Sequence, residues 1–296
     1  MKWVELTVHT SALAEDAVAN ILIEEGSGGV AVSEQPNRSR PTRAAQAYFP
    51  LDDDLEPRLL RVKTRIHDLR GFGLDPSPGK MILRHVEESD WAEAWKKFFK
   101  PIVIGNIVVK PSWEEFERTS SEQIMLELDP GMAFGTGSHA TTQLCLELLQ
   151  RYVRPGDRVL DIGTGSGILS IAAAMLGASR VVGLDVDQLA VSVARENIRR
   201  NGVADRVSVY RGDSLESLRF RPNVVVANIL ANTVIAFAPA VAEILAEGGI
   251  YITSGIVNER KCEVAESLQR TGLNVVETLS QGEWTAVVGV KGERDS

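Results

Sequence analysis

Hydrophobic and polar positions alternate at the start of the chain, where Trp3, Val4, Leu6 and Val8 mark a half-buried strand over Trp3 to His9. The period then lengthens. Leu13, Ala17, Ile21 and Leu22 recur at helical spacing behind Ser11, a good N-cap, and Gly26 with Gly28-Gly29 closes the run before a strand over Val30 to Ser33. Gln35 to Thr42 reads as a loop and Ala45 to Pro50 as a strand. Leu55 to Gly71 reads as a second helix with Leu59, Leu60, Val62 and Ile66 inward, and Met81 to Val86 as a fourth strand. The order β-α-β-β-α-β predicts a small ferredoxin-like α+β domain over residues 1–86.

Trp91, Trp95, Phe98 and Phe99 then fall at helical spacing within Glu88 to Lys100, which predicts a linker helix over residues 87–100 with an aromatic packing face. Ile102-Val103-Ile104 and Ile107-Val108-Val109 flank Gly105-Asn106 as a hairpin, and Gln123 to Leu128 is a further short strand. From there strands follow at Val159 to Ile162, Arg180 to Leu184, Val207 to Tyr210, Pro222 to Ala227 and Gly249 to Ser254, and Pro222 to Ala227 is fully apolar, as in a parallel sheet covered on both faces. Helical runs separate them, namely Leu144 to Tyr152, Ile168 to Leu176, Asp187 to Asn201, Thr233 to Leu245 and Asn258 to Thr271. Two closing strands, Leu273 to Leu279 and Trp284 to Val290, form an antiparallel hairpin at the sheet edge. Residues 101–296 are thus expected to form a doubly wound α/β domain.

The candidate chemistry gathers at the carboxyl ends of these strands, where such sheets bind ligands. Gly163-Thr164-Gly165-Ser166-Gly167 follows the first strand and opens a helix, and Asp185 lies 22 residues after Gly163, the place of a ribose-binding carboxylate. The glycine spacing is not the dehydrogenase G-x-G-x-x-G. Asp161, at the mouth of the turn, would repel a pyrophosphate and suit a cationic amino group, so the pattern favours S-adenosylmethionine over a dinucleotide. Asp213 can reach an adenine amine, and Asn228 ends an apolar strand on the same rim. The segment Asp129 to Thr142 is too polar and glycine-rich for core. It holds Phe134, His139, and Thr141 and Thr142 as candidate helix caps. His139, with no second His, Cys or acidic partner nearby, is a loop-ordering or substrate-contact residue and not a metal ligand.

Composition narrows the picture further. With 44% hydrophobic and 24% charged residues the chain is an ordinary globular protein, and no apolar run approaches the ~20 residues of a membrane span. A chain that opens on Met1-Lys2-Trp3-Val4-Glu5, with no secretory pattern, is expected in the cytoplasm. Cys145 and Cys262 both read as buried packing residues, without a disulfide or metal pattern. The net charge of -8 disfavours a nucleic-acid substrate and favours a basic polypeptide partner. The asymmetry is informative: residues 1–86 carry 11 basic and 12 acidic side chains, the remainder 21 and 28.

Parallel strands closed by an antiparallel hairpin describe a class I methyltransferase better than a dehydrogenase. The sequence closely resembles the PrmA family, bacterial methyltransferases that modify ribosomal protein L11. The resemblance rests on Asp129 to Thr142, Asp161 to Gly167, Val226-Ala227-Asn228-Ile229-Leu230 and Gly282-Glu283-Trp284. It implies a ferredoxin-like substrate-recognition domain, a linker helix and a class I catalytic domain. It also implies cofactor contacts at Thr142, Gly163, Asp185 and Asn228, and methylation of lysine side chains and the terminal α-amine with S-adenosylmethionine. Ala140 stands where the family commonly has proline or glutamate. The residues themselves add Asp161, Gly165, Phe134 and Asp213 to the expected cofactor site. Asn228 is expected to orient the amine through its side-chain oxygen, since no motif residue is an obvious general base. Asn-Ile-Leu departs from the Asn-Pro-Pro-aromatic motif of amide, adenine and cytosine methyltransferases, which weakens a nucleic-acid or glutamine substrate. Two other classes compete: an NAD-dependent oxidoreductase, opposed by Asp161 and the glycine spacing, and a nucleotide-regulated ribosome-binding module, opposed by Asn228 and the Phe134 to Thr142 loop.

Overall fold

The computed structural model describes residues 3–27, 30–35, 42–52, 54–86, 99–129, 137–215 and 221–292. They form two compact units, one within Met1–Lys100 and one built from Pro101–Asp129 and Ala133–Ser296. The first unit contains β1 (Trp3–Ser11), α1 (Glu15–Glu24), β2 (Val30–Gln35), β3 (Thr42–Pro50), α2 (Leu55–Asp68) and β4 (Lys80–Val86). Its sheet order is β2-β3-β1-β4 with every pair antiparallel, the ferredoxin-like arrangement expected. Val4, Leu6 and Val8 point from the central strand into a core closed by Val18, Ile21 and Leu22 of α1 and Val62 and Ile66 of α2.

Two residues expected inward face solvent. Leu13 is 57% exposed because it sits in a 3-10 turn, Ala12–Ala14, that precedes α1, and Ser11 caps that turn and not the α-helix. Leu60 is 66% exposed because the buried stripe of α2 runs Leu55, Leu59, Val62, Ile66, and Leu60 lies one position past it. The linker helix expected over 87–100 falls mainly on residues outside those described; Phe99 and Lys100 have no regular secondary structure. The Gln35 to Thr42 loop also lies largely outside the described residues, and Thr42 itself belongs to β3.

The second unit opens with β5 (Ile102–Ile104) and β6 (Ile107–Lys110), an antiparallel hairpin, joined in parallel by β7 (Ile124–Glu127). There follow α3 (Ala140–Tyr152), β8 (Arg158–Ile162), α4 (Ile168–Met175), β9 (Arg180–Asp185), α5 (Gln188–Arg200) and β10 (Val207–Arg211). The chain then crosses to β11 (Val224–Asn228), α6 (Ala231–Ile244), β12 (Ile250–Val257), α7 (Lys261–Arg270), β13 (Leu273–Gln281) and β14 (Trp284–Lys291). The seven strands lie in the order β10-β9-β8-β11-β12-β14-β13, and β14 runs against both its neighbours. The closing antiparallel hairpin lies at the sheet edge as expected, with β14 between β12 and β13. Alternate residues of the central strands feed two cores: Val224 and Val226 of β11 point to one, Val225 and Ala227 to the other. Cys145 is buried as expected, whereas Cys262, on α7, is exposed. Among the described residues no helix is long and apolar enough to cross a membrane.

The strand order reverses between β8 and β11, and the crevice beyond their carboxyl ends is where a sheet of this kind receives ligands. The backbone there is close-packed. Gly255 has φ +82° at a register shift in β12, and a Cβ on it would meet the Ile229 carbonyl oxygen at 2.5 Å. Gly255→Ala therefore should cost about 1–3 kcal/mol and displace the chain after Asn228. Gly272→Asn is the comparison, because Gly272 also has positive φ but open space around it, and asparagine tolerates that conformation. Urea unfolding of both variants checks this, and equal midpoints would remove the steric claim.

Candidate cofactor and active site

The glycine turn is tied to the neighbouring strand before any ligand is considered. Gly163 and Thr164 both donate backbone N–H groups to the Leu184 carbonyl at 2.9 Å, and Gly167 N donates to Thr164 O at 2.8 Å. Gly165 N donates to Asp185 Oδ2 at 2.9 Å, while Asp185 Oδ1 accepts from Asp187 N at 3.0 Å. The half-buried Asp185 carboxylate thus holds the turn on one side and the start of α5, capped by Asp187, on the other. Each of its oxygens keeps a lone pair for a hydroxyl donor. The glycines permit close approach, as expected, but these N–H groups are engaged within the protein and are not offered to a ligand. A pyrophosphate needs such donors. A ligand with a cationic amino group and ribose hydroxyls does not.

Above the turn lies a cavity of about 550 Å³, and Thr142, Gly163, Gly165, Asp185, Asp213 and Asn228 all line it. Six of the eight residues expected at the site are therefore brought together, from four strand ends and the start of α3. Phe134 lies outside the described residues. Asp161 is fully buried beneath the turn instead of standing at its mouth, because it projects from β8 onto the face covered by α4. There its Oδ2 accepts from Thr164 Oγ1 and Ser170 Oγ, each at 2.7 Å, and its Oδ1 has no partner. Sequence reasoning missed the apolar walls, Ile162, Val186, Ile229 and Phe237. Val186 and Ile229 directly follow Asp185 and Asn228, so the strand ends already carried that signal; Phe237, on α6, carried none.

The start of α3 also differs from expectation. His139, and not a threonine, is the N-cap: its ring nitrogen Nδ1 accepts from Thr141 N at 3.3 Å and lies 2.6 Å from Thr141 Oγ1. Its ring meets Trp284 edge-on at 5.1 Å. Thr142, fully buried one residue further on, is then free to accept a hydrogen bond from Asn228 Nδ2 at 3.3 Å. That bond leaves Asn228 Oδ1 as the acceptor of this side chain.

The profile of the family described as ribosomal protein L11 methyltransferase (PrmA) matches residues 2–292. The chain belongs to this family. It is 40% identical to the ribosomal protein L11 methyltransferase of Anoxybacillus flavithermus over 98% of its own length and 100% of that protein. It is 38% identical to that of Bacillus cytotoxicus over 97% and 99%. A crystal structure of the ribosomal protein L11 methylase from Lactobacillus delbrueckii subsp. bulgaricus matches with TM-score 0.62 and 31% identity, covering 66% of this chain and all of that one. As a PrmA-family methyltransferase with the class I fold, the chain uses S-adenosylmethionine as methyl donor.

Electrostatics set the Asp161 carboxyl of this family member apart from an ordinary aspartate. Burial raises the Asp161 pKa to about 6, its hydrogen bonds from Ser170 and Thr164 pull the other way, and the Asp185 charge adds to the rise. The folded protein therefore holds this proton to higher pH than the unfolded chain, where an aspartate titrates near 3.9. Stability from this group is fully present below about pH 4 and is lost as pH rises through about 6, up to ~3 kcal/mol. Asp161→Asn cannot titrate, so its stability should fall less than that of the wild type between pH 4.5 and 7. Denaturant unfolding of the ligand-free proteins across that range measures it; identical slopes would show that Asp161 titrates as an exposed carboxylate does.

Proposed function

We propose that the chain methylates amino groups of ribosomal protein L11, both lysine side chains and the N-terminal α-amine. The observation that carries this reading is Asn228, at the end of β11 and on the cavity wall, held by Thr142 with its side-chain oxygen left as an acceptor. The cavity suits the donor, since its size, its carboxylates at Asp185 and Asp213 and its apolar walls fit a nucleoside with a cationic amino-acid tail. Asp185 would hold the ribose hydroxyls, Asp213 the adenine amine, and Gly163 and Gly165 the close backbone approach. Phe134 completes the proposed set, and Asp161, buried beneath the turn, acts only through the hydrogen bond that holds Thr164. S-adenosylmethionine supplies an electrophilic methyl group on a positively charged sulfur.

The protein's own task is to deliver a neutral amine in line. A free lysine amine has a pKa near 10.4, and an ammonium has no lone pair with which to attack. Desolvation against Ile229 and Phe237 favours the uncharged form. Asn228 Oδ1 accepts one amine N–H and aims the nitrogen's lone pair, an orienting role that needs no change of charge at the asparagine. The overall charge of -8 favours a basic acceptor protein.

Asn228→Ala should lower turnover roughly 100-fold with much less effect on cofactor affinity. Asn228→Asp is the sharper variant, because a carboxylate would pair with the ammonium, raise its pKa and favour the form that cannot attack. Its activity should recover in part as pH rises. Single-turnover methylation of purified ribosomal protein L11 from pH 7 to 10 reads both effects, and wild-type rates in both variants would sink the assignment.

The division of labour follows from where the site lies. Among the described residues, all those that line the cavity belong to the second unit, and we propose residues 1–86 as the substrate-recognition domain, 87–100 as the linker and 101–296 as the catalytic domain. A fragment beginning at Ser89 should bind S-adenosylmethionine with near-native affinity in calorimetry yet lose methylation of ribosomal protein L11. Full activity in that fragment would show that the first unit does not select the substrate.

A further inference from the structure

Leu230 breaks two local rules at once. At 74% it is the most exposed of the large apolar side chains among the described residues. It also occupies the N-cap of α6, where its side chain makes no capping hydrogen bond. Ser, Thr, Asp or Asn is favoured at that position and leucine is among the poorest choices. Its carbonyl still accepts from Thr233 N at 2.9 Å and Val234 N at 3.0 Å, so the helix start is regular and only the side chain is unexplained by folding. Departures of this kind concentrate where a side chain serves a ligand.

The neighbours fix where that residue stands. Ile229 N donates to Ser254 O at 3.2 Å, and the Ile229 backbone lies against Gly255 while its Cγ2 fills the space a Cβ on Gly163 would need. Asn228 and Ile229 line the cavity and Leu230 does not, which puts Leu230 just outside the wall that Asn228 ends. Building on the amine-methylating reading above, we propose that Leu230 is a specificity-determining residue that contacts the aliphatic stem of an acceptor lysine whose nitrogen is held at Asn228. The four methylenes of a lysine give an apolar side chain something to cover, and an N-terminal α-amine has no such stem.

Two forms of ribosomal protein L11 separate the acceptors: one N-terminally acetylated with its lysines intact, the other with a free N-terminus and every lysine replaced by arginine. Leu230→Asn is the test variant and Leu230→Met the conservative one. For the lysine acceptor, Leu230→Asn should raise KM about 10-fold with kcat within twofold, and Leu230→Met should restore KM. For the α-amine acceptor both variants should match the wild type. Binding of S-adenosylhomocysteine should be unchanged. Leu230→Asn should also melt at higher temperature, since it supplies the missing cap. An equal change for the two acceptors, no change for either, or a lower melting temperature in Leu230→Asn would overturn the assignment and leave the transferase reading standing. Failure of the wild type to methylate either form would overturn both.

Discussion

Ile229 is held between two glycines, and the geometry of the cavity depends on that contact. Gly163 leaves room for its side chain at the end of β8, and Gly255 leaves room for its backbone beside β12. β11 already pairs with both β8 and β12 in the parallel sheet, and Ile229, just past its end, continues between them. Both glycines have positive φ and no Cβ, so each lets the chain pack against Ile229 where another residue would clash. Asn228, one residue earlier, takes its position from this clamp. So does Leu230, one residue later.

A second constraint comes from hydrogen-bond accounting around the glycine turn. With the N–H groups of Gly163, Thr164 and Gly165 spent on Leu184 and Asp185, the turn is tied within the protein and poor in donors. The lining groups that remain are largely acceptors and apolar side chains. That balance discriminates between ligand classes more sharply than glycine spacing does, because an anionic phosphate left without donors is costly in a partly enclosed site. It also gives Asp185 a double duty, holding the turn while presenting lone pairs to the cavity.

The Asn228 side of the cavity is ordered through α3. Trp284, next to the turn of the closing hairpin, packs on His139; His139 caps α3; and Thr142, in the first turn of that helix, fixes the amide of Asn228. Three segments far apart in the chain thereby converge on one side chain. The motif Gly282-Glu283-Trp284, which has no polar role visible in the sequence, acquires a physical one as a support for the capping histidine.

Local chemistry was enough to determine much of this protein from sequence. Period-two and period-3.6 patterns reflect how side chains leave a strand or helix, so both units and nearly every element were legible, as was the ferredoxin-like order. The rim residues Gly163, Asp185, Asp213 and Asn228 were legible too, because the end of a parallel strand is a position that sequence can count. The rest was decided by contacts between distant residues. Whether Asp161 meets the cavity or the underside of the turn depends on the face α4 covers. His139, which caps α3, packs on Trp284, 145 residues later in the chain. The insertion of β14 between β12 and β13, and the closeness of Gly255 to Ile229, are matters of sheet order and strand separation. No local pattern encodes those distances, since they are set only when the strands pair.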